Sequence, residues 1–131
     1  MTEWSSTDIE DILESQFVAL DCEPKYEAHE LLCEFGGLLY NLTIYPQIEL
    51  VHLRADSKNT QKATPQFEFS LRCDRIRTGD GGYESRAIYF DFLDGVDAEG
   101  VSRSTRLVID RLRSGDLYIW PVIGPSDPAL E

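Results

Sequence analysis

Carboxylates are the side chains whose number and spacing stand out in this sequence. One set recurs every three or four residues: Glu23, Glu27, Glu30 and Glu34. A shorter set precedes it: Glu10, Asp11 and Glu14. On a helix, like charges at i, i+4 cost about 0.2–0.5 kcal/mol per pair, a cost that interspersed lysines would avoid. We therefore predict that these seven carboxylates bind a cationic partner. A solvated face that tolerates the repulsion is an equally open interpretation.

The distribution of charge supports the same prediction. The net charge is −12, from 24 acidic and 12 basic residues. Residues 1–40 hold ten acidic residues and one basic residue, a balance of −9, whereas residues 41–131 hold fourteen and eleven, a balance of −3. A nucleic-acid binder needs the opposite sign, and an anionic membrane would repel this surface. We expect a basic protein partner, with no direct binding to nucleic acid or membrane.

Cysteine and histidine form the second set of residues that could carry chemistry. On a helix, His29 and Cys33 would share a face at i, i+4, with Cys22 nearby, and could bind an ion or act as base and nucleophile. Zinc would need further ligands, from Cys73 or His52. Small buried hydrophobic residues explain both Cys33 and Cys73 as well. We expect no metal, no cofactor and no catalytic residue, and keep a small enzyme or metal protein as an alternative.

Recognisable catalytic motifs are missing from the sequence. Neither histidine adjoins a Gly-x-Ser-x-Gly turn, and Gly79–Gly82 lacks the Lys-Ser/Thr of a phosphate-binding loop. Three cysteines without a Cys-x-x-Cys pair do not suggest a disulfide framework. The chain begins acidic, without a basic segment followed by an apolar one. These features predict a soluble, cytoplasmic protein that is not an enzyme.

The elements that would position these residues follow from the apolar spacing. Thr7–Glu10 has the form of a capping box, and an apolar stripe follows it, which predicts a first helix over residues 7–19. Pro24 suits the first turn of a helix, and another stripe predicts a second helix over residues 24–35. Gly36-Gly37 would end that helix, with positive φ in at least one glycine. The stripes are Ile9, Ile12, Leu13 and Phe17, then Ala28, Leu31, Leu32 and Phe35.

After Gly37 the apolar period changes from 3.6 to 2, which is typical of strands. About six strands are expected, with loops over 57–65 and 94–104 and a hairpin turn at Arg113–Asp116. Helices followed by strands with short links favour an α+β fold, in which two N-terminal helices pack on one face of an antiparallel sheet. We expect one domain over residues 1–131, with residues 124–131 as a frayed tail.

Several short segments resemble the SUKH superfamily of bacterial immunity proteins. They are Ile9-Glu10-Asp11-Ile12-Leu13-Glu14, which resembles the family's opening acidic helix, Glu23-Pro24-Lys25-Tyr26, Glu34-Phe35-Gly36-Gly37-Leu38, Ile109-Asp110 and Gly115-Asp116-Leu117-Tyr118. In that family a proline opens a helix that ends in a Gly-Gly pair, and a late glycine turn precedes a strand with an aromatic residue. The resemblance implies a mixed helix-and-sheet fold and a non-catalytic role in binding and neutralising a toxin.

The sequence therefore predicts an immunity protein that binds a bacterial toxin through its acidic helical face. The first alternative is a DNA-mimic or phage-encoded inhibitor of a nucleic-acid-binding protein, which would share the electrostatics. The second alternative is the small enzyme or metal protein that would use Cys22, His29 and Cys33.

Overall fold

The computed structural model describes residues 1–20, 27–57, 66–81, 85–96 and 102–125. Within these ranges the chain forms one α-helix, one short 3₁₀ helix and nine strands. In chain order they are α1 Ser6–Leu13, β1 Phe17–Leu20, β2 Ala28–Phe35, β3 Leu38–Tyr45, the 3₁₀ helix Pro46–Ile48, β4 Leu50–Ser57, β5 Phe67–Arg72, β6 Arg75–Asp80, β7 Arg86–Val96, β8 Ser102–Arg111 and β9 Leu117–Pro125. No helix in these ranges is long and apolar enough to cross a membrane.

The strands form two antiparallel sheets. The first has five strands in the order β1-β2-β3-β4-β5, and the second has four in the order β6-β7-β8-β9. Within each sheet, every strand therefore pairs with its neighbours in sequence, and the sheets divide between β5 and β6. One hydrophobic cluster contains buried residues from α1 and from both sheets, including Ile12, Leu42 and Phe90. The two sheets and the helix thus share a core.

Helix α1 buries the stripe that the sequence predicts. Ile9, Ile12 and Leu13 are almost fully buried. The helix ends at Leu13, however, because Glu14 takes the left-handed conformation with φ 52°. The predicted extension to residue 19 is wrong, since Phe17 begins strand β1 and pairs with Leu31.

The predicted capping box is also wrong. The helix begins at Ser6, and the residue before it makes no side-chain capping bond. Glu10 instead turns to the other end of the helix, where its Oε2 accepts a hydrogen bond from the backbone N–H of Phe17 at 2.7 Å. This carboxylate therefore secures the connection from α1 to β1.

The second predicted helix is wrong, because residues 28–35 form strand β2. Their apolar residues fit a helical stripe, yet Leu31, Cys33 and Phe35 also alternate, and these three face the core. Pairing with β1 and β3 satisfies the backbone of β2 on both sides. A short apolar run cannot distinguish the two periods on its own. Pro24, the predicted start of the helix, lies outside the described residues.

Gly36 and Gly37 form a two-residue hairpin turn between β2 and β3. Phe35 pairs with Leu38 directly across it. Both glycines have positive φ, +58° and +80°, as a type I′ turn requires. The predicted positive φ is confirmed, but it serves a hairpin rather than the end of a helix.

The later strand predictions agree better with the structure. β3 ends at Tyr45, before Pro46, and Arg111 pairs with Leu117 across the predicted hairpin. From residue 38 onward there are seven strands in the described ranges, where the sequence predicts about six.

The strands take up part of the predicted loop over residues 94–104, since β7 continues to Val96 and β8 begins at Ser102. Residues 58–65 and 126–131 lie outside the described residues, and the rest of the predicted tail belongs to β9.

The side chain of Arg111 joins α1 to both sheets. From the end of β8, its Nη1 donates to the backbone oxygen of Ile12 at 2.8 Å, and its Nη2 lies 3.0 Å from the carboxylate of Glu14. Its guanidinium also lies over the ring of Phe35, at 5.6 Å from the centroid. A cation here complements the partial negative charge at the C-terminal end of the helix.

The first residues of the chain connect the two sheets as well. The N–H of Thr2 donates to the oxygen of Pro46 at 2.8 Å, and its hydroxyl donates to the oxygen of Cys73 at 2.7 Å. Glu3 forms a parallel bridge with Arg75, in which Ile76 N–H donates to the oxygen of Glu3 at 2.8 Å. This segment therefore spans the junction between the sheets.

The type I′ turn predicts a cost for adding a side chain. Gly36→Ala and Gly37→Ala should each lower the free energy of unfolding by about 1 kcal/mol, because alanine disfavours positive φ. The loss should be larger at Gly36, where a Cβ would also lie 2.8 Å from Oδ1 of Asp116. Urea titration measures both. Gly37→Asn is the control and should cost less, since asparagine tolerates this conformation. If both alanine variants had the same free energy of unfolding as the wild type, the turn assignment would be contradicted.

A second prediction compares two arginines. Arg111→Met should destabilise the fold by about 1–3 kcal/mol, because the backbone oxygen of Ile12 loses its donor and Glu14 loses its ion pair. Arg86→Met should cost less than about 1 kcal/mol, since its pair with Asp11 is exposed. Thermal and urea unfolding would test this order, and equal losses would show that Arg111 does not join the elements as described.

Candidate functional site

The three predicted site carboxylates of the first helix bind groups of their own chain. Glu10 accepts the Phe17 N–H described above. Asp11 lies 2.7 Å from Nη1 of Arg86, and both side chains are more than half exposed. Glu14 pairs with Arg111. Asp11 and Glu14 are thus partly neutralised by arginines of the four-stranded sheet, and Glu10 is engaged by the backbone of β1, so the three carboxylates offer less to a partner than the sequence suggests.

The four predicted carboxylates after residue 20 do not form one helical stripe. Glu23 lies outside the described residues. Glu27 precedes β2, where its N–H donates to Oε1 of Gln47 at 3.1 Å and its carboxylate lies 3.6 Å from Nε2 of His29. Glu30 and Glu34 lie within β2, on the side opposite Leu31, Cys33 and Phe35. The structure therefore brings two of the four together on one face of the sheet.

We call this side of the five-stranded sheet, which points away from the core, the outer face. Because directly paired residues point to the same side of a sheet, the register between strands defines its members. They include Val18, Glu30, Leu32, Glu34, Leu39, Asn41, Thr43, His52, Arg54, Asp56, Glu68, Ser70 and Arg72.

Three large apolar side chains are exposed on the outer face. Val18 is 62% exposed, Leu32 61% and Leu39 44%. Leu32 pairs with Asn41 and Leu39 with Glu34, so the two leucines are diagonal neighbours on adjacent strands, about 7–8 Å apart. A shallow depression of about 670 Å³ lies here. Its lining consists of Ser15, Leu32, Cys33, Glu34, Leu39, Tyr40, Asn41, Arg54 and Asp56.

Hydrogen bonds hold the polar side chains around these leucines. Asn41 Nδ2 donates to Glu30 at 3.0 Å, and the hydroxyl of Thr43 donates to Oδ1 of Asn41 at 2.9 Å. Arg54 makes two hydrogen bonds to Asp56, from Nε at 3.0 Å and from Nη2 at 3.2 Å. The hydrogen bond to Asp56 raises the pKa of Arg54 above its usual value. The polar part of the face is thus ordered by the fold.

The outer face carries a negative balance. Arg54 also reaches Glu68 at 3.5 Å, and Nε2 of His52 lies 3.5 Å from the same carboxylate. Four carboxylates therefore share the face with two arginines, Arg54 and Arg72, so that carboxylates outnumber arginines by two. The sequence locates the charge excess but not this surface. The alternation within β2 and the Gly-Gly hairpin signal were the clues that could have revealed it.

The proposed pairing of His29 with Cys33 does not form. Both lie on β2, where four residues span about 13 Å rather than one helical turn. The ring of His29 packs against Trp4, with centroids 5.1 Å apart. Cys22 lies outside the described residues. Across the part of the chain that the structure describes, no three His, Cys, Asp or Glu residues are grouped closely enough to hold a metal ion.

The two described thiols are poorly suited to act as nucleophiles. Cys73 is buried and Cys33 is half-buried, and both are free of disulfides. Burial raises the pKa of each to about 12, above the ordinary value of 9.0. A nucleophilic cysteine needs the opposite shift, because the thiolate is the reactive form.

Comparison with known proteins gives one informative result. Neither a protein-family model nor a curated protein matches the chain, and the predicted helix that carried the SUKH resemblance is a strand from Ala28 onward. Among solved structures, the fold is similar to a chain in a contact-dependent growth inhibition toxin–immunity protein complex from Klebsiella pneumoniae 342. The TM-score is 0.65, the sequence identity is 10%, and the similarity covers 94% of this chain and 96% of that chain. This chain therefore has a fold that also occurs in a toxin–immunity complex.

Proposed function

We propose that this chain is an immunity-type protein, which binds a cognate bacterial toxin in the cytoplasm and neutralises it without catalysing a reaction. The observation that carries the proposal is the similarity in fold, over nearly the whole chain, to a component of a toxin–immunity complex. The proposal does not depend on membership of the SUKH superfamily.

Charge favours the immunity side of such a pair over the toxin side. A toxin that acts on nucleic acid needs a cationic site, whereas this chain has a net charge of −12. An acidic inhibitor can cover a cationic site and exclude its substrate. Opposite charges would also speed the encounter between the two proteins. Rapid capture suits an inhibitor that must act before its toxin reaches a substrate.

The described side chains support a non-catalytic role. His29 packs on Trp4 and lies far from Cys33, so the two cannot act as base and nucleophile in this arrangement. The raised pKa values of Cys33 and Cys73 keep both thiols protonated at neutral pH.

The outer face gives less support to a DNA mimic. A mimic of the phosphate backbone needs closely spaced charges along a line, since duplex DNA carries one per about 1.7 Å of its axis. On this face the carboxylates of Glu34 and Asp56 are separated by Leu39, which pairs with both residues. An apolar centre with charges around it is typical of a protein–protein interface.

Co-expression tests the immunity role. A toxin domain encoded beside the gene for this chain should arrest growth when induced in a bacterial host, and this chain should restore growth. The purified pair should elute as one complex. An unrelated toxin is the control and should remain toxic. If the chain is produced in folded form and gives no protection, the proposal fails, and growth arrest by this chain alone would place it on the toxin side.

Thiol labelling tests the rival catalytic role. In a Cys22→Ser variant at pH 8, thiols with a pKa of about 12 are ionised in about one molecule in 10,000. Labelling by iodoacetamide should therefore be at least about 100-fold slower than in guanidinium chloride, where the thiols regain ordinary pKa values. Mass spectrometry measures both sites. Rapid labelling of Cys33 in the folded protein would favour the catalytic alternative.

A further inference from the structure

We infer that the outer face of the five-stranded sheet is the surface that receives the toxin. We infer further that the toxin presents an apolar side chain surrounded by lysine or arginine side chains. This inference rests on the proposed immunity function and specifies the partner surface that the function requires.

The first argument is the grouping of exposed apolar side chains. Six large apolar residues are conspicuously exposed among those described, and Val18, Leu32 and Leu39 share the outer face. Isolated exposed apolar residues are ordinary, whereas adjacent ones indicate an interaction surface. Leu32 and Leu39 also line the depression, so an apolar side chain of a partner could contact both. The centre of the proposed interface is therefore apolar.

The second argument is that the face is rigid before a partner arrives. Its side chains project from paired strands rather than loops. The hydrogen bonds of Glu30 with Asn41 and of Arg54 with Asp56 fix the orientation of the polar groups. A surface ordered in advance loses less conformational entropy on binding.

The negative charge of the outer face favours a basic protein as the partner. On the outer face the four carboxylates, Glu30, Glu34, Asp56 and Glu68, outnumber the two arginines, Arg54 and Arg72. Basic side chains around the apolar contact of a partner would meet these carboxylates. A second copy of this chain is disfavoured, because two molecules with a net charge of −12 repel each other.

The size of the face is adequate for most of one partner's contact. Five strands span about 19 Å across the sheet, and eight-residue strands are about 26 Å long, which gives a projected area of about 500 Å². One side of a standard interface buries about 800 Å² of accessible surface. Ser15 also lines a neighbouring depression beside Glu10, Asp11 and Glu14, so the contact could continue onto the surface of α1.

Matched variants of the full chain test the apolar centre, with the neighbouring-gene toxin domain as the probe. Leu32→Ser and Leu39→Ser should each raise the dissociation constant about tenfold or more, mainly through faster dissociation. Ile48→Ser with Tyr118→Ser is the control, since both residues are exposed but lie off the outer face. This control should change the dissociation constant less than about threefold.

Charge variants test the carboxylates that surround the apolar centre of the outer face. Glu30→Gln with Glu34→Gln should slow association about 3- to 10-fold at low salt and flatten its dependence on salt. Glutamine retains an oxygen that can accept the hydrogen bond of Asn41. Removal of two charges elsewhere, by Asp8→Asn with Asp80→Asn, should slow association less. Circular dichroism and thermal melting of every variant must match the wild type, as exposure of these side chains predicts.

The outcomes separate this inference from the proposed function. If the wild type binds and protects while the leucine variants bind equally well, the outer face is not the interface, although the immunity role stands. If the Ile48/Tyr118 control loses binding instead, the contact lies elsewhere. Light scattering could instead show that the wild type is a dimer and that the leucine variants are monomers. If those variants also bind the toxin as tightly as the wild type, a second copy of the chain occupies the face. A wild type that fails to bind or protect overturns both proposals.

Discussion

The contact of Arg111 with the end of α1 joins the helix to both sheets. Its guanidinium bonds Ile12 and Glu14 while it lies over Phe35, so the helix is held where the two sheets meet. The second pair, between Arg86 and Asp11, holds the helix to the same four-stranded sheet. Within the described part of the chain, the helix buries its stripe in the shared core and leaves the outer face open. The position of the helix thus leaves this face of the sheet exposed among the described residues.

Local patterns predicted the parts of the fold that depend on neighbouring residues. The buried stripe of α1, the end of β3 before Pro46 and the hairpin at Arg113–Asp116 all follow from short-range spacing and turn chemistry. Strand β2 could not be predicted in this way, because its residues fit both a helical and an alternating period. Its conformation is decided by hydrogen bonds to β1 and β3. The Gly-Gly signal was compatible with either conformation, and the partner strands determine its role.

The sequence predicted the acidic composition of the candidate site, but it placed the residues of that site in the wrong arrangement. The sequence identified an acidic excess, but Asp11 and Glu14 find arginines 75 and 97 residues further along the chain. Such long-range pairs cannot be read from spacing within one element. Likewise, Leu32 looked like part of a buried helical stripe, and its exposure beside Leu39 follows from the strand register. The same change of conformation separates His29 from Cys33 and removes the geometric basis for a shared metal or catalytic site.

The docking of the first residues has a consequence for how the chain matures on the ribosome. Thr2 and Glu3 are synthesised before their partners Cys73, Arg75 and Ile76, which follow about 70 residues later. At about 5–20 residues per second, this delay lasts several seconds. The five-stranded sheet can pair its own hairpins during that time, since its strands follow one another in sequence. Closure of the core against the second sheet must therefore be a late event in biosynthesis.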